Sequence, residues 1–281
     1  MSRGIVYYNK STKMAVRLAV SIHGLRRFYK GPITILSEGD DSHAFTYPIA
    51  ERYDCTVQNT TFETPEGKNT TYLNACLIGD HTPYETTIWL DSDTLPQRPF
   101  TELFDAAEKF EFAIAQFATW KTTGRIGKRI KAWRGILPDH WIDRALDFGP
   151  AINCGVFAFH HRSKLIRDWH KLAQQGRDTF IPDEVCCQIM LAQPEYPNKI
   201  LPQEFNCSIK YADPLADNVR IIHAHGAKHA RFNEGKPQYN SQIWWEVFDE
   251  IRSWSTVADY VCKDHKVRRD ITKWDAWKKS R

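Results

Sequence analysis

The chain has 281 residues, 42% of them hydrophobic and 26% charged, with a formal net charge of +4. That is enough for one large α/β domain or two intimate halves around a sizeable core, and it excludes a disordered or low-complexity chain. No run of 18 apolar residues occurs, so no transmembrane helix is expected.

Gly4 to Tyr8 reads as a first strand. Met14, Ala15, Leu18, Ala19, Ile22, Leu25 and Phe28 follow at helical spacing and predict a helix that Gly31-Pro32 ends. Ile33 to Leu36 reads as strand, Ser42 to Tyr53 as helix, and Cys55 to Gln58 as a short strand. Residues 59–69 are loop-like, and Tyr72, Ala75, Cys76 and Gly79 suit one helix face. Thr86 to Leu90 is an apolar run fit for a strand buried on both faces. A short helix (Phe100 to Ala107) and a strand (Phe112 to Phe117) come next. Residues 121–134 contain Gly124 and Gly127 and read as a mobile loop or frayed helix. Ala151 to Phe159 is strand-like though interrupted by Asn153 and Gly155, and Leu165, Trp169 and Leu172 suit a helix. Pro182 is placed to open another helix with Asp183 and Glu184 in its first turn. Val219 to Ile222 is a late strand ending at His223, and from Tyr239 the chain reads as helical and Trp-rich. The alternation predicts an α/β fold with a mostly parallel sheet and right-handed crossovers.

Charge is uneven. Residues 263–281 carry a balance of +5 and residues 121–134 hold six Lys/Arg and no acid, which leaves the remainder near −7. Localised basic charge is a footprint for phosphate-bearing partners, or simply solvated surface. The seven cysteines are scattered, with Cys186 and Cys187 adjacent and no C-x-x-C pair. Free thiols in a reducing, cytoplasmic setting are expected, and the start of the chain carries no signal-peptide pattern.

The stretch Asp91-Ser92-Asp93 carries the sharpest chemistry. If the backbone stays extended, both carboxylates point to one side just past the end of a central strand, where open α/β sheets bind ligands. Paired carboxylates repel unless a divalent cation joins them, and Mg²⁺ or Mn²⁺ suits oxygen ligands. Asp-x-Asp also ends many ordinary strands in a polar turn. Three other segments end or bend at polar residues that could converge with it: Asn153-Cys154-Gly155, Asp183-Glu184, and the run from His223 to His229. A histidine ending a late strand can complete a metal site, Gly226 permits close backbone approach, and Lys228 can reach a phosphate. Read blandly, the histidines cap a loop, and Asp183 and Glu184 complement a helix dipole.

Together these pieces resemble a GT-A-fold glycosyltransferase, closest to the family 8 pattern of glycogenin and bacterial galactosyltransferases. The resemblance rests on Asp91-Ser92-Asp93, Asn153-Cys154-Gly155-Val156-Phe157, Asp183-Glu184, Leu201-Pro202 with Phe205-Asn206, and His223-x-x-Gly226, and spans roughly residues 4–230. It implies that Asp91, Asp93 and His223 bind Mn²⁺ (or Mg²⁺), which holds the diphosphate of a nucleotide sugar, with a UDP-sugar expected. It implies that Tyr7, Tyr8 and Asn9 lie near the base, with Ser92, Gly226 and Lys228 around the donor. Asn153 and Gly155 would line the sugar pocket, Asp183 and Glu184 would face the donor sugar, and the anomeric configuration would be retained. A catalytic domain over 1–230 follows: a nucleotide-binding half (1–120), a basic loop or insertion (121–148) and an acceptor half (149–230). A Trp-rich helical extension (231–281) completes the chain.

Three departures accompany the resemblance. Glu184 stands where the family usually has Gln. Lys228 falls one place early in the late motif, which also lacks Pro-Trp. The basic residue usual before the metal strand is missing; Tyr72 to Ala75 occupies that region and Lys68 lies upstream. The acceptor stays open among nucleic acid, including a modified DNA base, glycan and lipid-linked molecules. The basic Trp-rich tail allows peripheral membrane contact. Nucleotidyl transfer also uses paired aspartates but needs no late histidine. A non-catalytic nucleic-acid-binding module would keep its binding after Asp91→Ala and Asp93→Ala.

Overall fold

The computed structural model describes residues 2–62, 70–208, 218–225, 232–233, 235–237 and 239–281. Lys68, Gly226, Lys228 and His229 lie outside the described residues.

In chain order the elements are β1 (Arg3–Asn9), α1 (Ala15–Leu25), β2 (Ile33–Ser37), α2 (Asp40–Tyr53), β3 (Thr56–Asn59), α3 (Ile78–His81), β4 (Thr86–Leu90) and β5 (Thr94–Pro96). They continue with α4 (Glu102–Phe110), β6 (Phe112–Lys121), α5 (Gly124–Lys131), α6 (Asp139–Asp147), β7 (Pro150–His160), α7 (Lys164–Gln175) and α8 (Pro182–Leu191). Then come β8 (Lys199–Leu201), β9 (Cys207–Ser208), β10 (Ile221–His223), β11 (Phe232–Asn233), β12 (Lys236–Pro237), α9 (Tyr239–Ile251), α10 (Ser255–Val261) and α11 (His265–Lys279). The main sheet has the order β3-β2-β1-β4-β7-β6-β8 and is mostly parallel, β6 and β7 being antiparallel. β4 is its fourth strand of seven and is buried along its whole length, as its continuous apolar run requires. A smaller sheet, β5-β10-β9, carries the late histidine.

The chain divides into two compact units. The first comprises Met1–Ile5, Thr61–Trp89 and Thr101–Gln203; the second comprises Val6–Thr60, Leu90–Phe100 and Glu204–Arg281.

In the first unit an aromatic cluster fills the space under β6 and β7. The Phe157 ring stacks on Trp89 at 5.9 Å and on Phe112 at 5.6 Å, and meets Trp169 edge-on at 5.5 Å. Each such pair contributes about 0.5–1.5 kcal/mol beyond burial. The β6–β7 ladder slips between Ile114↔Phe157 and Gln116↔Ile152, so Asn153-Cys154-Gly155 sits in a bulge of β7. Of the two alternatives for the basic stretch, the structure takes the helix and not the mobile loop. It forms α5, with Gly127 and Ile130 buried, and Trp133 just beyond is wholly buried. A Cβ on Gly127 would come within 2.8 Å of the Thr122 carbonyl, so glycine there permits close packing rather than mobility. The stretch 70–77, read as an α-helix face, winds as a 3₁₀ turn before the short α3.

In the second unit the Trp-rich C-terminal stretch is helical as expected, and its aromatics build a core. Trp244, Trp245 and Trp274 are buried, Trp244 stacking on Phe248 at 5.7 Å and Trp245 on Trp274 at 6.1 Å. Packing, not a membrane face, therefore accounts for these three rings. Asp264 caps α11 by accepting from Val267 N, and it pairs with Arg17 of α1 at 2.8 Å, both side chains being buried. All seven cysteines are free.

Candidate active site

β4 delivers Asp91 to its carboxyl end, but the two aspartates are gathered by a turn rather than by extended backbone. The Asp91 carbonyl accepts from Thr94 N at 3.0 Å and from Thr94 Oγ1 at 2.7 Å. This closes a four-residue turn that feeds β5. Ser92 locks it by donating its hydroxyl to the Tyr8 carbonyl at 3.2 Å. β10 then lies antiparallel to β5, with His223 opposite Thr94 and Ala224 N bonded to the Asp93 carbonyl at 2.9 Å.

That register places His223 Nε2 3.1 Å from Asp93 Oδ1 and 3.6 Å from Asp91 Oδ2. One ligand atom from each of the three residues falls within 4.8 Å of the others. His223 and Asp93 are buried, while Asp91 is 41% exposed and opens the cluster to solvent. On the far side His223 Nδ1 lies 2.9 Å from Asn206 Oδ1. An amide oxygen only accepts, so Nδ1 carries a proton and Nε2 faces the carboxylates. Three acceptors facing inward need a cation or a proton between them. A divalent ion with oxygen and imidazole ligands matches this donor set, and the Asn206 contact is the outer support that metal-bound histidines use. When a proton fills that place His223 is a cation, and although burial pushes the Asp93 carboxyl up, the charge and hydrogen bond of the protonated ring outweigh it and hold Asp93 well below the usual carboxylate range. The His225 ring lies 3.8 Å from that of His223.

The end of β1 belongs to the same unit. The Tyr7 side chain is wholly buried, its hydroxyl 2.9 Å from Ser21 Oγ, so only its backbone is available to a ligand. Tyr8 is half-buried and donates its hydroxyl to Glu38. Asn9 is buried with Nδ2 on Ser42 Oγ at 3.3 Å, while its Oδ1 has no hydrogen-bond partner among the described residues. A buried acceptor left so is costly unless something donates to it.

The remaining site candidates lie in the first unit and form a second cluster. Pro182 opens α8, and Ile181 before it sits at φ 51°, a left-handed conformation rare for a β-branched residue. Asp183 and Glu184 occupy the first turn, as the sequence predicts. Asn153 spans the β7 bulge, its Oδ1 accepting from Gly155 N at 3.1 Å and its Nδ2 donating to Glu184 Oε2 at 2.7 Å. Arg129 of α5 approaches Glu184 Oε1 at 3.9 Å. Asp183 is buried, and its carbonyl accepts from Trp169 Nε1 at 2.9 Å. Asn206 and the approach of Arg129 to Glu184 have no single-residue signal. Asn206 stands beside Phe205 in a stretch the family pattern marks, but its role depends on where a 3₁₀ turn, Gln203–Asn206, sets it.

No protein-family model matches the sequence, and no curated protein matches it. Solved structures do. Mouse xyloside xylosyltransferase 1 superposes with a TM-score of 0.56 at 13% identity, covering 80% of this chain and 98% of that one. An active-site mutant of LgtC, in which a glutamine is replaced by glutamate, gives 0.62 at 14% identity and covers 88% and 95%. The glycosyltransferase GlyE of Streptococcus pneumoniae gives 0.58 at 15%, covering 91% of this chain and 64% of that one. The chain thus has the GT-A fold expected from its motifs.

Proposed function

We propose that the protein is a metal-dependent glycosyltransferase that takes a sugar from a nucleotide-sugar donor. The observation that carries this reading is the meeting of Asp91, Asp93 and His223, backed by Asn206, at the carboxyl end of the fourth strand of a GT-A-type sheet. In this reading the three residues hold Mn²⁺ or Mg²⁺, which as a Lewis acid would offset the charge developing on the departing nucleoside diphosphate. The proteins whose structures this chain matches include LgtC, solved with donor and acceptor sugar analogues, and that supports a sugar donor here.

The chain's own groups fill the other roles. The Asn9 Oδ1 acceptor and the Tyr8 ring suit a nucleobase; uracil, through N3–H, is the base proposed, and the donor a UDP-sugar. Ser92 keeps the aspartate turn tied to the end of β1. Asn153, Gly155 and Asp183 face the donor sugar. Glu184, held by Asn153 and Arg129, stabilises positive charge developing at the anomeric carbon. Retention of configuration is part of the proposal. Gly226 and Lys228 would contact the diphosphate.

A screen of nucleotide sugars with Mn²⁺, reading slow donor hydrolysis, tests this without knowledge of the acceptor. Hydrolysis of a UDP-sugar that stops with chelator supports it. Absence of hydrolysis across UDP-, GDP- and CMP-sugars, with no Mn²⁺-dependent nucleotide binding, contradicts it.

A further inference from the structure

The outer face of α5 is cationic from end to end. Arg125, Lys128 and Arg129 fall at helical spacing on one side, with Ala132 one turn on, while Gly127 and Ile130 are buried on the other. These residues, with Thr179 and Phe180 from the turn before α8, line a cavity of about 350 Å³. Phe180 is 55% exposed, an unusual position for a large apolar ring, and the Arg129 guanidinium lies over it at 4.6 Å.

Several features distinguish this from ordinary solvated charge. Cations in the last turn of a helix complement its dipole, but Arg125 sits in the first turn, where the dipole opposes it. Like charges at positions 125 and 129 repel, and burial of Arg129 adds to the cost of its charge. Glu184 is the only acid that reaches this group among the described residues, and it engages Arg129 from the inner side, beside Ile130 and Val185. The framework is also fixed. Trp133, just beyond α5, is packed so tightly on Gly176 that a Cβ there would lie 2.3 Å from its ring. The cavity therefore sets an exposed aromatic ring beside two guanidinium groups and an ammonium group.

We propose that this cavity is the acceptor subsite and that the acceptor is an anionic sugar, bearing a phosphate or a carboxylate. The anion lies among Arg125, Lys128 and Arg129, and the apolar face of the sugar ring rests on Phe180. Arg129 then bridges the acceptor anion and Glu184, tying acceptor occupancy to the carboxylate assigned to the donor sugar. The inference rests on the transferase reading.

The test is calorimetry on the full chain in EDTA, which keeps any divalent ion from the aspartate–histidine cluster. Glucose 6-phosphate, glucuronate, inorganic phosphate and glucose are the probes. At least one charged sugar is expected to saturate, and glucose to show no binding. Arg125→Ala/Lys128→Ala should weaken the charged sugar roughly tenfold or more, the loss of two charge-assisted contacts. Phe180→Ala should weaken the charged sugar several-fold, as expected for a lost ring contact, and leave inorganic phosphate unaffected. All these side chains are exposed, and unfolding curves check that the variants fold. A preference for glucose 6-phosphate over glucuronate, or the reverse, identifies the anion. Equal binding by wild type and the double variant, or no binding of either charged sugar, overturns the inference. Wild-type donor hydrolysis, measured in parallel, separates the two levels. Hydrolysis without charged-sugar binding removes the acceptor subsite and leaves the transferase; charged-sugar binding without hydrolysis of any nucleotide sugar removes the acceptor assignment together with the transferase.

Discussion

His223 Nε2 lies 3.1 Å from Asp93 Oδ1, although 130 residues separate them in the chain. Two hydrogen-bonded strands make this possible, β10 setting His223 directly opposite Thr94. Behind the imidazole stands Asn206, which fixes its orientation.

Asn206→Ala should therefore weaken Mn²⁺ binding by about 10–100-fold without removing a ligand, the usual cost of losing such support. Asn206→Asp should recover much of it, because a carboxylate also accepts from Nδ1. Titration of the metal with each variant measures this, and wild-type affinity in Asn206→Ala would contradict the tautomer assigned to His223.

Arg17 and Asp264 form a buried pair that joins α1 to the cap of α11. Arg17→Met leaves the Asp264 carboxylate buried without its cation, and the expected loss is about 3–5 kcal/mol. Denaturant unfolding measures it.

How far the sequence reveals this protein depends on the range of the interaction. Thr86 to Leu90, Pro182 with Asp183 and Glu184, and the late strand ending at His223 are legible because local pattern and burial agree there. The three-residue strands β5 and β8 and the two-residue β9 are too short for any periodicity, and only pairing partners far along the chain define them. α5 is legible only as one of two alternatives, a frayed helix or a mobile loop, and the helix is what forms. Its glycines, taken as signs of mobility, serve close packing at Gly127 and a turn at Gly124, where φ is 56°. The Asp91–Asp93 geometry is reached by a turn where extended backbone is expected, with the same convergence of carboxylates.

Arg252 clamps α9 to α11 by donating to both oxygens of Asp275 at 2.7 and 3.1 Å. These bonds hold the Asp275 carboxyl below its usual range against the opposing effect of burial. A depressed folded value means that the contribution is complete above the unfolded value of about 4 and is lost as pH falls through the folded one. Asp275→Asn should thus be less stable than wild type at pH 7, by under about 1 kcal/mol for a pair this exposed. The difference should vanish in acid. Thermal unfolding at both pH values checks this; a difference that grows in acid contradicts it.

The thiols should react in order of exposure. Cys262 is exposed, Cys55 is partly covered, and five are buried. Burial pushes the Cys55 thiol up to about 11, with Arg26 opposing. A neutral-pH alkylation time course should show Cys262 modified first and Cys55 far more slowly, speeding up as pH rises. The five buried thiols should react only on unfolding. Fast modification of Cys55 at pH 7 contradicts the assignment.

The most direct test of the central claim is a Mn²⁺ titration followed by electron paramagnetic resonance, with and without UDP, on the wild type and on Asp91→Ala, Asp93→Ala and His223→Ala. One ion per chain is expected, held more tightly with UDP, and weakened more than about a hundredfold in each variant. Unchanged stoichiometry and affinity in His223→Ala, with the variant folded, would contradict the claim that two aspartates and a histidine from distant parts of the chain grip one cation.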